Sequence, residues 1–146
     1  MTVRAVPTGI GHYLPERVVP NQEFEATLDT SDEWIRSRSG IERRHFAADG
    51  ETTSQMAAHA ARKALAMAEL APDDIDAVIV ATSTPDLTFP SVATMVQNEL
   101  GMTRGFGFDV QAVCAGFIFA LANANGMVLS GQAERVLVIG AETFSR

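Results

Sequence analysis

The chain has 146 residues, 47% hydrophobic and 20% charged, enough to bury one domain-sized core. Its 18 acidic against 11 basic side chains leave a net charge of −7, which argues against nucleic-acid binding because that needs a basic face. One cysteine excludes an internal disulfide and cannot build a zinc site by itself, no apolar run reads as a membrane span, and the start lacks a signal-peptide layout. A cytoplasmic setting is the expectation.

In chain order, Val3–Ile10 is expected to be the first strand, although Pro7 removes a ladder donor. A long, non-repetitive excursion follows over residues 12–51. Within it, Thr30 or Ser31 can cap a short helix that has Asp32 and Glu33 in its first turn and stops at Gly40. Ile41–Phe46 can be a strand or a hairpin arm. Thr52 and Gln55 fit a capping box for a long helix whose Met56, Ala60, Met67 and Leu70 fall near one face. Ile75–Thr84 is a near-continuous β-branched run, the pattern of a strand covered on both faces. Ser91 caps a helix over Val92–Leu100, which Gly101 stops. A strand is expected over Gly105–Val110, then a helix through Cys114 to about Ser130 with Gly131 as its stop, then a buried strand in Arg135–Glu142.

Strands and helices therefore alternate, which predicts an α/β layered fold with a mostly parallel sheet, helices on both faces and right-handed connections. The run then ends at Thr143–Arg146 with nothing to cover the last strand, as if the chain were cut short.

Cys114 is the feature with chemistry in it. A free cysteine is most often a small buried hydrophobe. Here it stands at a strand-to-helix joint, where unpaired N–H groups and the helix dipole favour a thiolate. Ala112, Ala115 and Gly116 leave room for an approaching group, and the same N–H groups can hold a developing oxyanion.

The other motifs say less. The pairs Gly9–Gly11 and Gly105–Gly107 do not continue as a dinucleotide fingerprint and read as tight strand ends. Arg36, Arg38, Arg43 and Arg44 form a cluster whose ordinary reading is a solvated surface or charge at a helix C-terminus. Trp34, four residues before Arg38, offers an alternative: indole and guanidinium sandwiching an adenine beside its phosphates. His12, His45 and His59 have no metal-ligand spacing, and no metal site is expected.

Five stretches together resemble the β-ketoacyl-acyl carrier protein synthase III enzymes of the thiolase-like superfamily. They are Tyr13–Asn21, Asp29–Ala47, Val80–Ser91, Phe108–Phe117 and Val136–Arg146, so the likeness spans the chain. The resemblance implies the first half of a thiolase-like α-β-α fold, ending before its last strand. It implies that Cys114 is the nucleophile that takes an acyl group, typically acetyl, from acyl-CoA. Condensation with malonyl-acyl carrier protein would follow, opening fatty acid elongation; no cofactor is implied. Trp34 and Arg38 align with residues that clasp the adenine of CoA, and Thr30 with a nearby contact. Phe89 aligns with a residue that reaches across a dimer interface and shapes the acyl pocket. The homodimer would form through Gly105–Val110.

Members of the family are about twice this length, and their catalytic histidine and asparagine lie in the second half. The chain alone is therefore expected to lack condensing activity and to be poorly stable, its last strand lacking an antiparallel neighbour so that backbone groups stay unpaired and an apolar sheet face is exposed. Two other readings stay open: an acyltransferase or condensing enzyme of secondary metabolism with a different acceptor, and a non-catalytic folding or dimerisation half.

Overall fold

The computed structural model describes residues 4–145. The chain forms two compact units, one of Leu14–Glu51 with Thr143–Arg146, the other of Met1–Tyr13 with Thr52–Glu142.

The smaller unit is built on strand β1 (Arg17–Pro20), helices α1 (Gln22–Glu25) and α2 (Asp32–Ser39), and strand β2 (Arg43–Phe46). β1 and β2 pair antiparallel, from Arg17 opposite Phe46 to Pro20 opposite Arg43. Between the two alternative caps, it is the Ser31 hydroxyl that accepts the Trp34 N–H, and Gly40 ends α2 in the left-handed conformation. Asn21 is fully buried and ties the unit together. Its amide donates to Asp32 at 2.8 Å and to the Ile41 carbonyl at 2.7 Å, while its oxygen accepts from Arg44 at 2.9 Å.

The larger unit runs α3 (Thr53–Ala68), β3 (Ala77–Ala81), α4 (Val92–Leu100), β4 (Phe106–Val110), α5 (Gly116–Ser130) and β5 (Val136–Gly140). The three strands form a parallel sheet in the order β4-β3-β5, with Ala81 of β3 level with Val110 and Gly140. All five residues of central β3 are buried, which explains its unbroken apolar run. Alternation then splits its side chains between two layers. Val78 and Val80 pack with Ala57, Ala61 and Leu65 of α3 and Val96 of α4, whereas Ile79 and Ala81 meet Ala120 and Ala124 of α5. This is the three-layer α-β-α arrangement expected from the alternation of elements.

Four expectations need correction. Residues 4–10 form no strand (Val3 lies outside the described residues). Pro7 offers no ladder donor. Gly9 and Gly11 are consequently not strand ends. They let the chain lie against α3: a Cβ at Gly9 would come within 2.2 Å of the Ala64 carbonyl, and one at Gly11 equally close to that of Ala60. On α3, Met56 of the expected line is buried and Leu70 beyond the helix packs on the core, but Met67 is 61% exposed and the main buried stripe is Ala57, Ala61 and Leu65. Small side chains win that face because the helix packs closely on the sheet.

Lastly, Val113–Ser130 is long and apolar enough to cross a membrane by length and composition, with a mean hydropathy of 1.6. Alanine and glycine, easily passed over in a search for bulky residues, help raise that mean. They also place Gly116, Ala120 and Ala124 along one stripe that packs on the sheet.

Candidate active site

Cys114 is exposed and sits in a single 3₁₀ turn, Val113–Ala115, between β4 and α5. The turn's own bonds begin with the Ala115 N–H to the Ala112 carbonyl at 3.1 Å and continue with the Gly116 N–H to Val113. The Cys114 N–H precedes both, and the α5 N-terminus follows directly. Gly116 lets that first helical turn settle on the sheet, since a Cβ there would lie 3.2 Å from the Ala81 Cβ. Val113 adopts φ +49°, a left-handed conformation that a β-branched residue rarely takes. Such strain persists where the surroundings over-determine the backbone, and it turns the next residue, Cys114, out of the strand direction.

Phe89 belongs to the loop that leaves β3, so it and Cys114 emerge from the C-terminal ends of neighbouring parallel strands. In open α/β sheets that edge is where ligands bind. Phe89 is 81% exposed and its bond to Pro90 is cis. Asp109, near the end of β4, reaches the start of α4 and accepts the Val92 and Ala93 N–H groups, both at 2.8 Å. This carboxylate at a helix N-terminus joins the strand that leads to Cys114 to the helix that follows Phe89.

In the smaller unit, α2 places Trp34 and Arg38 on one side, and the Arg38 guanidinium lies over the indole, 5.3 Å from the ring centre. Two stacking contacts of about 3.5 Å each would be needed to admit a ring between them. As placed, they stack on each other, and the sandwich requires the arginine to swing away. Thr30 precedes the cap, and its hydroxyl is buried with no hydrogen-bond partner. Arg36 is engaged by Glu42 at 2.9 Å and Asp32 at 3.7 Å, and Arg44 lies over Phe24. These two of the four clustered arginines are thereby committed to structure.

Comparison with known proteins shows what these positions are similar to. Residues 108–146 match the family model of 3-oxoacyl-[acyl-carrier-protein (ACP)] synthase III. The β-ketoacyl-[acyl-carrier-protein] synthase III of Jannaschia sp. (strain CCS1) is 82% identical over 148 residues, covering all of this chain and 45% of the relative. The crystal structure of 3-oxoacyl-[acyl-carrier-protein] synthase III from Aquifex aeolicus VF5 superposes with a TM-score of 0.91 at 47% identity, over 94% of this chain and 44% of that one. The priming β-ketosynthase of the R1128 polyketide biosynthetic pathway superposes with a TM-score of 0.88 at 37% identity, over 94% and 41%.

From end to end, the chain matches an N-terminal portion of synthase III. It spans about 45% of the length of the curated relatives it matches.

Several residues of the structure gave no signal in the sequence. Asn21 lies within one of the matching stretches, yet only the folded unit shows it holding α2 through Asp32 and Ile41. Asp109 and Val113 flank the cysteine, but a strand aspartate and a valine announce neither a helix cap nor a left-handed turn. Asp76 shows the same kind of hidden junction. It accepts the Arg135 and Glu134 N–H groups and faces the Arg104 guanidinium at 3.0 Å. Those bonds, the Arg135 N–H foremost, hold its carboxyl below the ordinary aspartate range, and Asp73 is lowered likewise by the Thr103 N–H and hydroxyl.

Proposed function

We propose that this chain is the nucleophile-bearing portion of a condensing acyltransferase that initiates fatty acid synthesis. The observation that carries the reading is an exposed thiol on a strained turn at the C-terminal edge of a parallel sheet, directly ahead of a helix N-terminus. In the first half-reaction, the Cys114 thiolate attacks the thioester carbonyl of an acyl-CoA, acetyl-CoA being the expected donor. The carbonyl oxygen gains charge, which N–H groups at the head of α5 can stabilise, and the CoA thiolate leaves as the Cys114 thioester forms. In the second, malonyl-acyl carrier protein loses carbon dioxide, and its carbanion attacks that thioester. The 3-oxoacyl product forms and the Cys114 thiolate is released. The groups that drive decarboxylation are expected elsewhere in the complete protein.

Trp34 and Arg38 are assigned to the adenine end of CoA, with Arg38 swinging off the indole to admit the ring. Thr30, with its unpaired hydroxyl, is assigned a neighbouring polar contact. Phe89 is assigned to the acyl pocket of a homodimer formed through the outer edge of β4. That strand is the flank of the sheet, and Phe106 at its start is 45% exposed.

The experiment is to incubate the complete reading frame with labelled acetyl-CoA and locate the label by peptide mapping. Label on Cys114, and none in Cys114→Ala with CoA affinity retained, is the expected result. Its absence from Cys114 sinks the assignment. A second reading, priming of a polyketide chain, draws on the likeness to the R1128 ketosynthase. It is favoured if the complete protein condenses with a polyketide carrier protein and not with that of fatty acid synthesis.

A further inference from the structure

The loop Thr82–Ser91 between β3 and α4 is held by carboxylates at three places. Glu142, two residues beyond β5, accepts the Ser83 N–H at 2.8 Å and the Thr84 hydroxyl at 2.6 Å. The Thr84 carbonyl in turn accepts from the Thr53 hydroxyl at 2.7 Å. Asp86, from within the loop, accepts the N–H groups of Thr53 at 2.7 Å and Ser54 at 3.1 Å at the head of α3. At the far end, Asp109 fixes Val92 and Ala93. Phe89 therefore projects from a short span that is anchored on both sides, while its own ring is 81% exposed.

Of these anchors, Glu142 is the one that ties the loop to the end of β5. Its bonds are charge-assisted and so among the stronger ones holding the segment. Take the carboxylate away, and the Ser83 N–H loses the acceptor on which the first turn of the loop is built. We propose that Glu142 is a positioning residue: it fixes the loop that presents Phe89 and so sets which acyl chains Cys114 accepts. The acyl-selection half of this rests on the function proposed above.

The test uses the complete protein and two variants, Glu142→Ala and Glu142→Gln. Amide hydrogen exchange over residues 82–91 reads the anchoring directly. In Glu142→Ala it is expected to quicken by about tenfold, whereas Glu142→Gln, whose amide oxygen still accepts the Ser83 N–H, stays within about threefold of wild type. The second readout is the ratio of kcat/KM for Cys114 acylation by acetyl-CoA and by butyryl-CoA. It is expected to move by about fivefold or more in Glu142→Ala and little in Glu142→Gln.

Unchanged exchange in Glu142→Ala would overturn the proposal. So would an equal fall for both acyl donors, which is what mere destabilisation produces. Faster exchange with no acylation even in the wild type would support the anchoring, and would overturn acyl selection together with the functional reading.

Discussion

Cys114 owes its exposure to the residue before it. Val113, three residues beyond β4, takes φ +49° and turns the backbone just before the thiol, which lies at the surface. A cysteine beside alanines and glycine could be read as a reactive group or as core filler, and its exposure speaks against the filler. The Gly9–Gly11 pair makes the complementary point. Its spacing reads as turn chemistry, yet both glycines are used for close backbone approach to α3. Gly11→Ala should therefore destabilise the protein by about 2–3 kcal/mol, because its Cβ would meet a carbonyl oxygen and not a yielding side chain. Urea denaturation checks this, and a loss comparable to that of an exposed loop substitution would contradict it.

At the scale of elements, the junction of β3, β4 and β5 depends on Asp76. The carboxylate accepts two N–H groups at the entry to β5 and pairs with Arg104 ahead of β4. Asp76→Ala is expected to cost about 2–3 kcal/mol at neutral pH, since it leaves N–H groups that were bonded to a charge. The pH dependence has a definite sign. A carboxyl lowered in the folded state contributes stability that is full above its unfolded value near pH 4, and is lost as pH falls through the folded value. The gap in stability between wild type and Asp76→Asn should accordingly hold at neutral pH and narrow as pH falls below the unfolded value of about 4; a constant gap would remove the carboxylate from the account.

Helix boundaries were largely legible in the sequence at this scale. Ser31, Thr52 and Ser91 cap the helices that begin after them, and Gly40, Gly101 and Gly131 end theirs in the left-handed conformation. Those signals are local, so the sequence carries them in plain view. The first strand was misread because a strand exists only with a neighbour, which no local pattern supplies.

At the scale of the whole molecule, burial is unevenly spread. Central β3 is enclosed on both faces, and Ile79→Ala should cost about 3 kcal/mol because it empties space between the sheet and α5. The outer face of α5 is the opposite case: Ile118, Phe119 and Leu129 are each more than half exposed. The 146-residue chain on its own is therefore expected to bind a hydrophobic dye and to self-associate, and Ile118→Lys with Phe119→Ser should reduce both. A monodisperse chain with no dye binding would show that this face is already covered.

Alternation of elements, the capped helix ends and the cysteine at a strand–helix joint were determined by the sequence alone, because each rests on neighbours within a few residues. The tertiary structure decided what those neighbours could not: which face of α3 is buried, that Asn21, Asp76, Asp109 and Glu142 are junctions, and that Val113 is forced to φ +49°. The four junctions depend on groups far apart in sequence meeting in the fold, and hydrogen bonds of that kind cannot be read from local pattern.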